Sequence, residues 1–302
     1  MSLRVTQSMM QMQLSRNLNR NLSQMEGLQD QLTTGRKINK ASDDPVGITY
    51  ALRYRGELAS NEQYTKNADS AHSWLDFNDT VLNQAGDVLK RVKELVVQGS
   101  TGTNPQVALD NIRDEVIQLK DQIIDIGNSK VNGKYVFNGQ TYDKKPYDVT
   151  AAGFDAKAIV TDGGDVSYAI GVGVVLPVNV SGNEVFGNPG DADNVFTVLD
   201  NIISSLSSGD YAGTSAQLDN LDSRTNKVLN AASEIGARVN RVELMQNRLD
   251  DLGLNLTSMQ SKVEDADYDK LLIDSKVNEN IYQASLSVGA KVISPSLVDF
   301  LR

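Results

Sequence analysis

Between Leu221 and Val263 the chain reads LDSRTNKVLNAASEIGARVNRVELMQNRLDDLGLNLTSMQSKV, and every seventh residue of it is aliphatic. That row is Leu221, Val228, Ile235, Val242, Leu249, Leu256 and Val263. A companion row starts as Ala232 and Val239 and continues as Met245, Leu252 and Met259. Period seven sustained this long predicts a helix that winds against helices of similar length, since ordinary globular helices stop after ~8 to 20 residues. At ~1.5 Å per residue the span is roughly 65 Å. Such a seam needs long partner helices to bury it, and the N-terminal half supplies them.

Ala68, Leu75, Leu82, Leu89 and Val96 repeat at seven as well, joined by Tyr64, Ala71, Ala85 and Val92. This predicts a second long helix from Val46 to about Gly99. Before it, residues 1 to 33 read as a helix with Leu14, Leu18, Met25, Leu28 and Leu32 at core spacing and Asn21 at one core position. Gly35 ends that helix, and Asn39, Ser42, Asp43, Asp44 and Pro45 make the connector. The Asp43-Asp44 pair before a proline reads as a helix-capping turn rather than a metal site. Asn104-Pro105 restarts a helix in which Leu109, Ile112, Val116, Leu119, Ile123 and Ile126 recur by three and four until Gly127.

The pattern changes at Lys130. Asn132-Gly133 and Asn138-Gly139 are hairpin-type dipeptides, the second between Tyr135-Val-Phe and Gln140-Thr-Tyr. Glycines then separate short Val, Ile and Tyr runs, so that 158–160, 166–170 and 174–180 read as strands. No G-x-G-x-x-G opens a helix after a strand, so these glycines are turn residues and imply no dinucleotide cofactor. A helix returns at about Asn194 and stops at Gly209, the long seam follows, and Glu264-Asp-Ala-Asp breaks it. A last helix carries Leu272, Val277, Ile281, Ala284 and Val288, and Pro295 interrupts it.

Composition narrows the function. Net charge is -10, which argues against nucleic acid, whose binders carry a basic face. There is no cysteine, hence no disulfide, thiolate metal site or Cys nucleophile, and the single His72 falls in a helical pattern as a structural or exposed imidazole. No motif pairs a nucleophile with a base, so an enzyme is not expected, and neither is a cofactor or a metal. The opening residues lack the continuous apolar core of a cleavable signal, and no apolar run approaches the ~20 residues of a membrane span. The fold expected is mainly α: a long coiled-coil-like helical rod built by the N- and C-terminal segments, with a small β-rich insertion in the middle. Its parts are 1–44, 45–130, the insertion 131–193, 194–263 and 264–302. The outermost helices have little mutual apolar area and are expected to order on assembly.

Gln31-Leu-Thr-Thr-Gly-Arg-Lys-Ile-Asn-Lys-Ala-Ser-Asp-Asp-Pro-Val-Gly47 resembles the N-terminal signature of the bacterial flagellin superfamily. Leu89 to Gln98 is similar to the flagellin helix that follows, and the stretch from Ala232 to Asn247 to its C-terminal helix. Leu3-Arg-Val-Thr-Gln7, Gly133-Lys-Tyr-Val-Phe137, Ala284 to Lys291 and Pro295 to Arg302 resemble, within the superfamily, its hook–filament junction proteins. The resemblance covers about 1–140 and 194–302.

The resemblance implies a structural subunit that forms a ring between the first hook–filament junction protein (hook-associated protein 1) and the flagellin filament. It implies paired terminal helices (1–44, 264–302) as an inner tube, 45–130 and 194–263 as the next shell, and 131–193 facing outward. It further implies export, unfolded, by the flagellar type III apparatus to an extracellular site, and a chaperone on roughly 265–302. The assembly contacts expected are Leu14, Leu18, Met25 and Leu28 with Ile281, Val288 and Val292. The rivals are a flagellin filament subunit and, less well supported by the 31–47 signature, an unrelated secreted coiled-coil adhesin.

Overall fold

The computed structural model describes residues 7–151 and 153–293, the side chains of Gln7, Val292 and Ile293 excepted. Its helices are α1 (Gln7–Thr34), α2 (Pro45–Gly99), α3 (Gln106–Gly127), α4 (Gly182–Phe186), α5 (Val195–Ser208), α6 (Tyr211–Glu264) and α7 (Tyr268–Ile293). Two small hairpins pair β1 (Lys130–Val131) with β2 (Lys134–Tyr135), and β3 (Ser167–Gly171) with β4 (Val174–Pro177). The fold is therefore mainly helical with a small β insertion. By contacts the chain divides into a central unit, Asn61–Asp251, and a terminal unit of Met1–Ser60 with Leu252–Arg302.

In the central unit both heptad rows are buried. Ala68, Leu75, Leu82, Leu89 and Val96 of α2 are at most 1% exposed, and so are Leu221, Val228, Ile235 and Val242 of α6. Each Leu, Ile or Val among them contributes about 1.5–3 kcal/mol when fully removed from water. Asn61 donates to the Leu249 carbonyl (2.9 Å), Gln246 to Asp69 (2.8 Å), and Lys93 pairs with Asp222 (2.6 Å). The partner numbers fall on α6 as they rise on α2, so the two helices run antiparallel. His72 sits partly exposed on this seam, 2.9 Å from Asp76 and 3.7 Å from Glu243.

Helix ends follow local chemistry. Asp44 accepts from the amides of Val46 (3.1 Å) and Gly47 (2.9 Å), so the Asp-Asp-Pro turn caps α2. Asn194 accepts from Thr197 N–H (3.1 Å) at the start of α5, and Gly209 ends it at φ 68, a conformation that suits glycine.

The β insertion departs from expectation in detail. Asn132 (φ 50) and Gly133 (φ 80) turn the first hairpin as their dipeptide predicts. Asn138-Gly139 does not turn a second. The Asn138 amide instead donates to the carbonyls of Thr141 and Lys144 (both 3.0 Å), and Gly139 opens a 3-10 turn, Gly139–Thr141. Residues 158–160 form no strand, because Asp155 caps a 3-10 turn at Ala156–Ala158. The expected strand 174–180 ends at Pro177. Beyond it the Val178 amide pairs with the Val166 carbonyl, and the Val178 carbonyl accepts from Asn78 of α2 (2.8 Å). The short α4, capped by Ser181, was not expected from the glycine-rich pattern.

The insertion is anchored by an aromatic cluster and one buried cation. Phe186 lies edge-on to Phe137 (5.3 Å) and to Tyr147 (5.8 Å), and Tyr147 packs on Phe196 (5.1 Å). Arg224 of α6 is 2% exposed and donates to the carbonyls of Asp193 (2.9 Å) and Glu184 (3.0 Å) and to the Asp193 carboxylate (2.7 Å). Gly187 (φ 98) passes so close that a Cβ there would lie 2.6 Å from the guanidinium. Burial alone would raise the Asp193 carboxyl, but bonds from Lys227 and Ser223 and the Arg224 charge hold it below the usual carboxylate range.

Leu82→Ala should cost about 2–5 kcal/mol, whereas truncating exposed Leu244 should change stability by no more than about 0.5 kcal/mol, both read by urea unfolding. Arg224→Met leaves Asp193 with Lys227 and Ser223 but removes the donor to the Asp193 and Glu184 carbonyls, and should cost about 1–3 kcal/mol in the same assay.

Candidate assembly interface

The terminal unit is built differently. Among its described residues only Ile38, Ala51, Leu256 and Leu271 are fully buried hydrophobics. The α6 rows show the change along a single helix. Ala232, Val239 and Met245 pack against the central core, while Leu252 and Met259, next in the same row, are 44% and 47% exposed.

Helices α1 and α7 pack on each other. On α1, Leu14, Leu18, Asn21, Met25, Leu28 and Leu32 are half-buried and recur every three or four residues, which places them on one face. Leu14 lies against the buried Gly289 of α7, where a Cβ would come 2.7 Å from its Cδ2. The covered face of α7 is mostly small or polar: Leu271, Ser275, Asn278, Tyr282, Ser285 and Gly289 are buried or half-buried. Its apolar stripe faces elsewhere. Ile273, Val277, Ile281 and Val288 are 64%, 48%, 45% and 56% exposed, and at ~100° per residue they share one side of the helix.

The structure thus gathers Leu14, Leu18, Met25 and Leu28 on one face of α1 and leaves Ile281 and Val288 in solvent. The Val292 side chain lies outside the described residues. The periodicity of α7 did not reveal which side is covered, because Ser, Asn and Gly form the seam and the β-branched residues do not. Exposed Ile and Val disfavour a helix slightly through restricted χ1, so a solvent-facing stripe of them has no benefit to a lone molecule.

A polar joint ties the ends of this pair together. Glu264, at the end of α6, is 2% exposed. Arg55 of α2 grips both its oxygens (2.7 Å each), Gln260 donates at 3.3 Å, and Arg36 stands 3.7 Å away. The Lys37 amide donates to the Glu264 carbonyl (2.6 Å) and the Ala266 amide to the Gly35 carbonyl (3.1 Å), an antiparallel bridge between Arg36 and Asp265. Tyr268 reaches back to the Leu32 carbonyl (2.8 Å). Burial would raise the Glu264 carboxyl, but the Arg55 and Gln260 hydrogen bonds and the two guanidinium charges bring it below its ordinary value. Arg55 and Glu264 are 209 residues apart, so no local pattern announces the pair.

Among the described residues no cluster of His, Cys, Asp or Glu is arranged to hold a metal, and no helix is long and apolar enough to cross a membrane.

The description of the bacterial flagellin N-terminal helical region matches residues 5–141, and that of the bacterial flagellin C-terminal helical region matches 218–301. The chain belongs to the bacterial flagellin family. Flagellin of Bacillus subtilis is 30% identical over 289 residues, 91% of either chain. Flagellar hook-associated protein 3 of Escherichia coli is 24% identical over 300 residues, covering 94% of this chain and 95% of that one. In solved structures the fold recurs in flagellar hook-associated protein 3 of Legionella pneumophila, with a TM-score of 0.61 over 70% of this chain and 98% of that one, at 16% identity. The flagellin family is one of structural flagellar proteins, and the flagellum is the setting of this chain.

Ile273→Ser with Val277→Ser should leave the unfolding free energy of the monomer within about 0.5 kcal/mol, because both side chains already meet water. Leu14→Ala should loosen the α1–α7 pair, seen as faster amide exchange across 7–34 with 61–251 unchanged.

Proposed function

We propose that this protein is a structural subunit of the hook–filament junction, forming a ring between the hook, through hook-associated protein 1, and the flagellin filament. The observation that carries the reading is the contrast along α6. The same heptad row is covered in the central unit and open at Leu252 and Met259 of the terminal unit, whose described residues include four buried hydrophobics. An element that keeps its apolar pattern where its own chain offers no cover is completed by neighbouring copies, and head-to-tail contacts of that kind close into rings or run on as filaments. Resemblance to hook-associated protein 3 along nearly its whole length supports the junction reading.

In this reading 1–44 and 264–302 form the inner tube, 45–130 and 194–263 the shell around it, and the insertion 131–193 faces outward. Leu14, Leu18, Met25 and Leu28 shape α1 for its place, and Ile281, Val288 and Val292 meet the next copy. The subunit travels unfolded through the flagellar type III apparatus to the cell exterior, with a chaperone holding the C-terminal segment. It performs no catalysis and uses no cofactor, nucleic acid or membrane. The second reading, a filament-forming flagellin, is favoured by the 30% identity to the Bacillus subtilis protein.

Val288→Asp is expected to prevent incorporation at the hook tip while 61–251 keeps its native circular dichroism and unfolding midpoint. Incorporation of the variant at the wild-type level would remove Val288 from the interface. Complementation separates the two readings. In cells lacking the junction protein this chain should restore filament attachment, and in cells lacking flagellin it should build no filament. The reverse pattern would establish the filament reading.

A further inference from the structure

We propose that Glu264 is an acid-operated latch, closing the joint between α1 and α7 when ionised and opening it when protonated. The geometry is that of a device with one removable charge. The carboxylate is buried, both oxygens are taken by Arg55 of α2, and Arg36 of the connector stands behind it. From its own helix the facing group is the neutral Gln260 amide. The adjacent Asp265 carboxylate turns away to accept from the Ser261 hydroxyl (2.5 Å), and the Tyr268 phenol is engaged by the Leu32 carbonyl. Two cations therefore converge on one anion, and the neighbouring Asp265 carboxylate is already engaged by Ser261.

Protonation leaves both guanidinium groups without a counter-charge in a half-buried place, and their escape to water pulls α2 and the connector off the α6 end. The backbone links at that spot, Lys37 to Glu264 and Ala266 to Gly35, are single hydrogen bonds. The apolar surface that resists opening is limited to the half-buried α1 face and the four buried hydrophobics named above among the described residues. The central unit, held by its heptad rows, stays closed under the same conditions.

The sign follows from the lowered carboxyl. A group whose folded value lies below its unfolded value adds stability that is fully present above the unfolded value, ~4.3 for Glu, and is lost as pH falls through the folded value. The latch is therefore shut at neutral pH and opens only as pH falls below the ordinary carboxylate range.

The test reads the amides of Lys37 and Ala266 in the full-length monomer by hydrogen exchange, corrected for the intrinsic pH dependence, from pH 7.5 down to 2. In the wild type both should be protected at neutral pH and lose at least tenfold protection as the latch opens, before amides within 68–96 and 221–242 respond. Glu264→Gln, which carries no charge at any pH, should show the open state at pH 7.5 and no further pH response at these amides. Arg55→Gln should move the opening midpoint to higher pH, because it removes the nearer of the two cations and both of its hydrogen bonds to the carboxylate. A merely structural Arg55 would weaken protection without moving the midpoint. Wild-type amides that are unprotected at pH 7.5, a Glu264→Gln protein with wild-type protection, or an unmoved midpoint in Arg55→Gln would each overturn the proposal.

Discussion

Burial of aliphatic side chains every seventh residue along α2 and α6 is the constraint on which the rest of this molecule depends. With 6% aromatic residues the chain has few large side chains to fill a core, so stability comes from many medium ones stacked in register. Leu75, Leu82 and Leu89 on one helix and Val228, Ile235 and Val242 on the other are all within 1% of complete burial. Helices α3 and α5 and the β insertion add to that seam, and Phe137, Phe186 and Phe196 are packed where the insertion joins it.

One repeat has two outcomes. Where the chain brings further elements to α6, the companion row is covered and a finished unit results. Where it does not, Leu252 and Met259 keep the apolar pattern but stand in water. Helix α7 shows the same logic across its width, closing on α1 with Ser, Asn and Gly while Ile273, Val277, Ile281 and Val288 remain outside. Both helices carry apolar surface that the described part of the chain's own fold does not cover.

Direction is supplied by buried charge. Apolar seams are tolerant of sliding, because their energy depends on area rather than angle. The Arg224 contacts to Asp193 and Glu184 set the insertion at one place on α6, and the bidentate Arg55–Glu264 pair does the same for the terminal joint. In both, a guanidinium fork recognises specific oxygens, and burial without them would be costly.

The sequence by itself determined the long helices, their pairing partners and the site of the β insertion, because a seven-residue period and turn dipeptides are local signals read within one segment. It also carried the family, through the 31–47 stretch, and the capping role of Asp44. The tertiary structure decided matters that depend on residues far apart. It turned Asn138-Gly139 into a 3-10 turn, since Asn138 found carbonyls six residues on and the Asp162 amide beyond. It chose the polar side of α7 as the covered one, because a close approach at Gly289 admits Leu14 where a β-branched residue would not fit. It brought Glu264 to Arg55 across 209 residues, a contact that only the return of α6 alongside α2 can make.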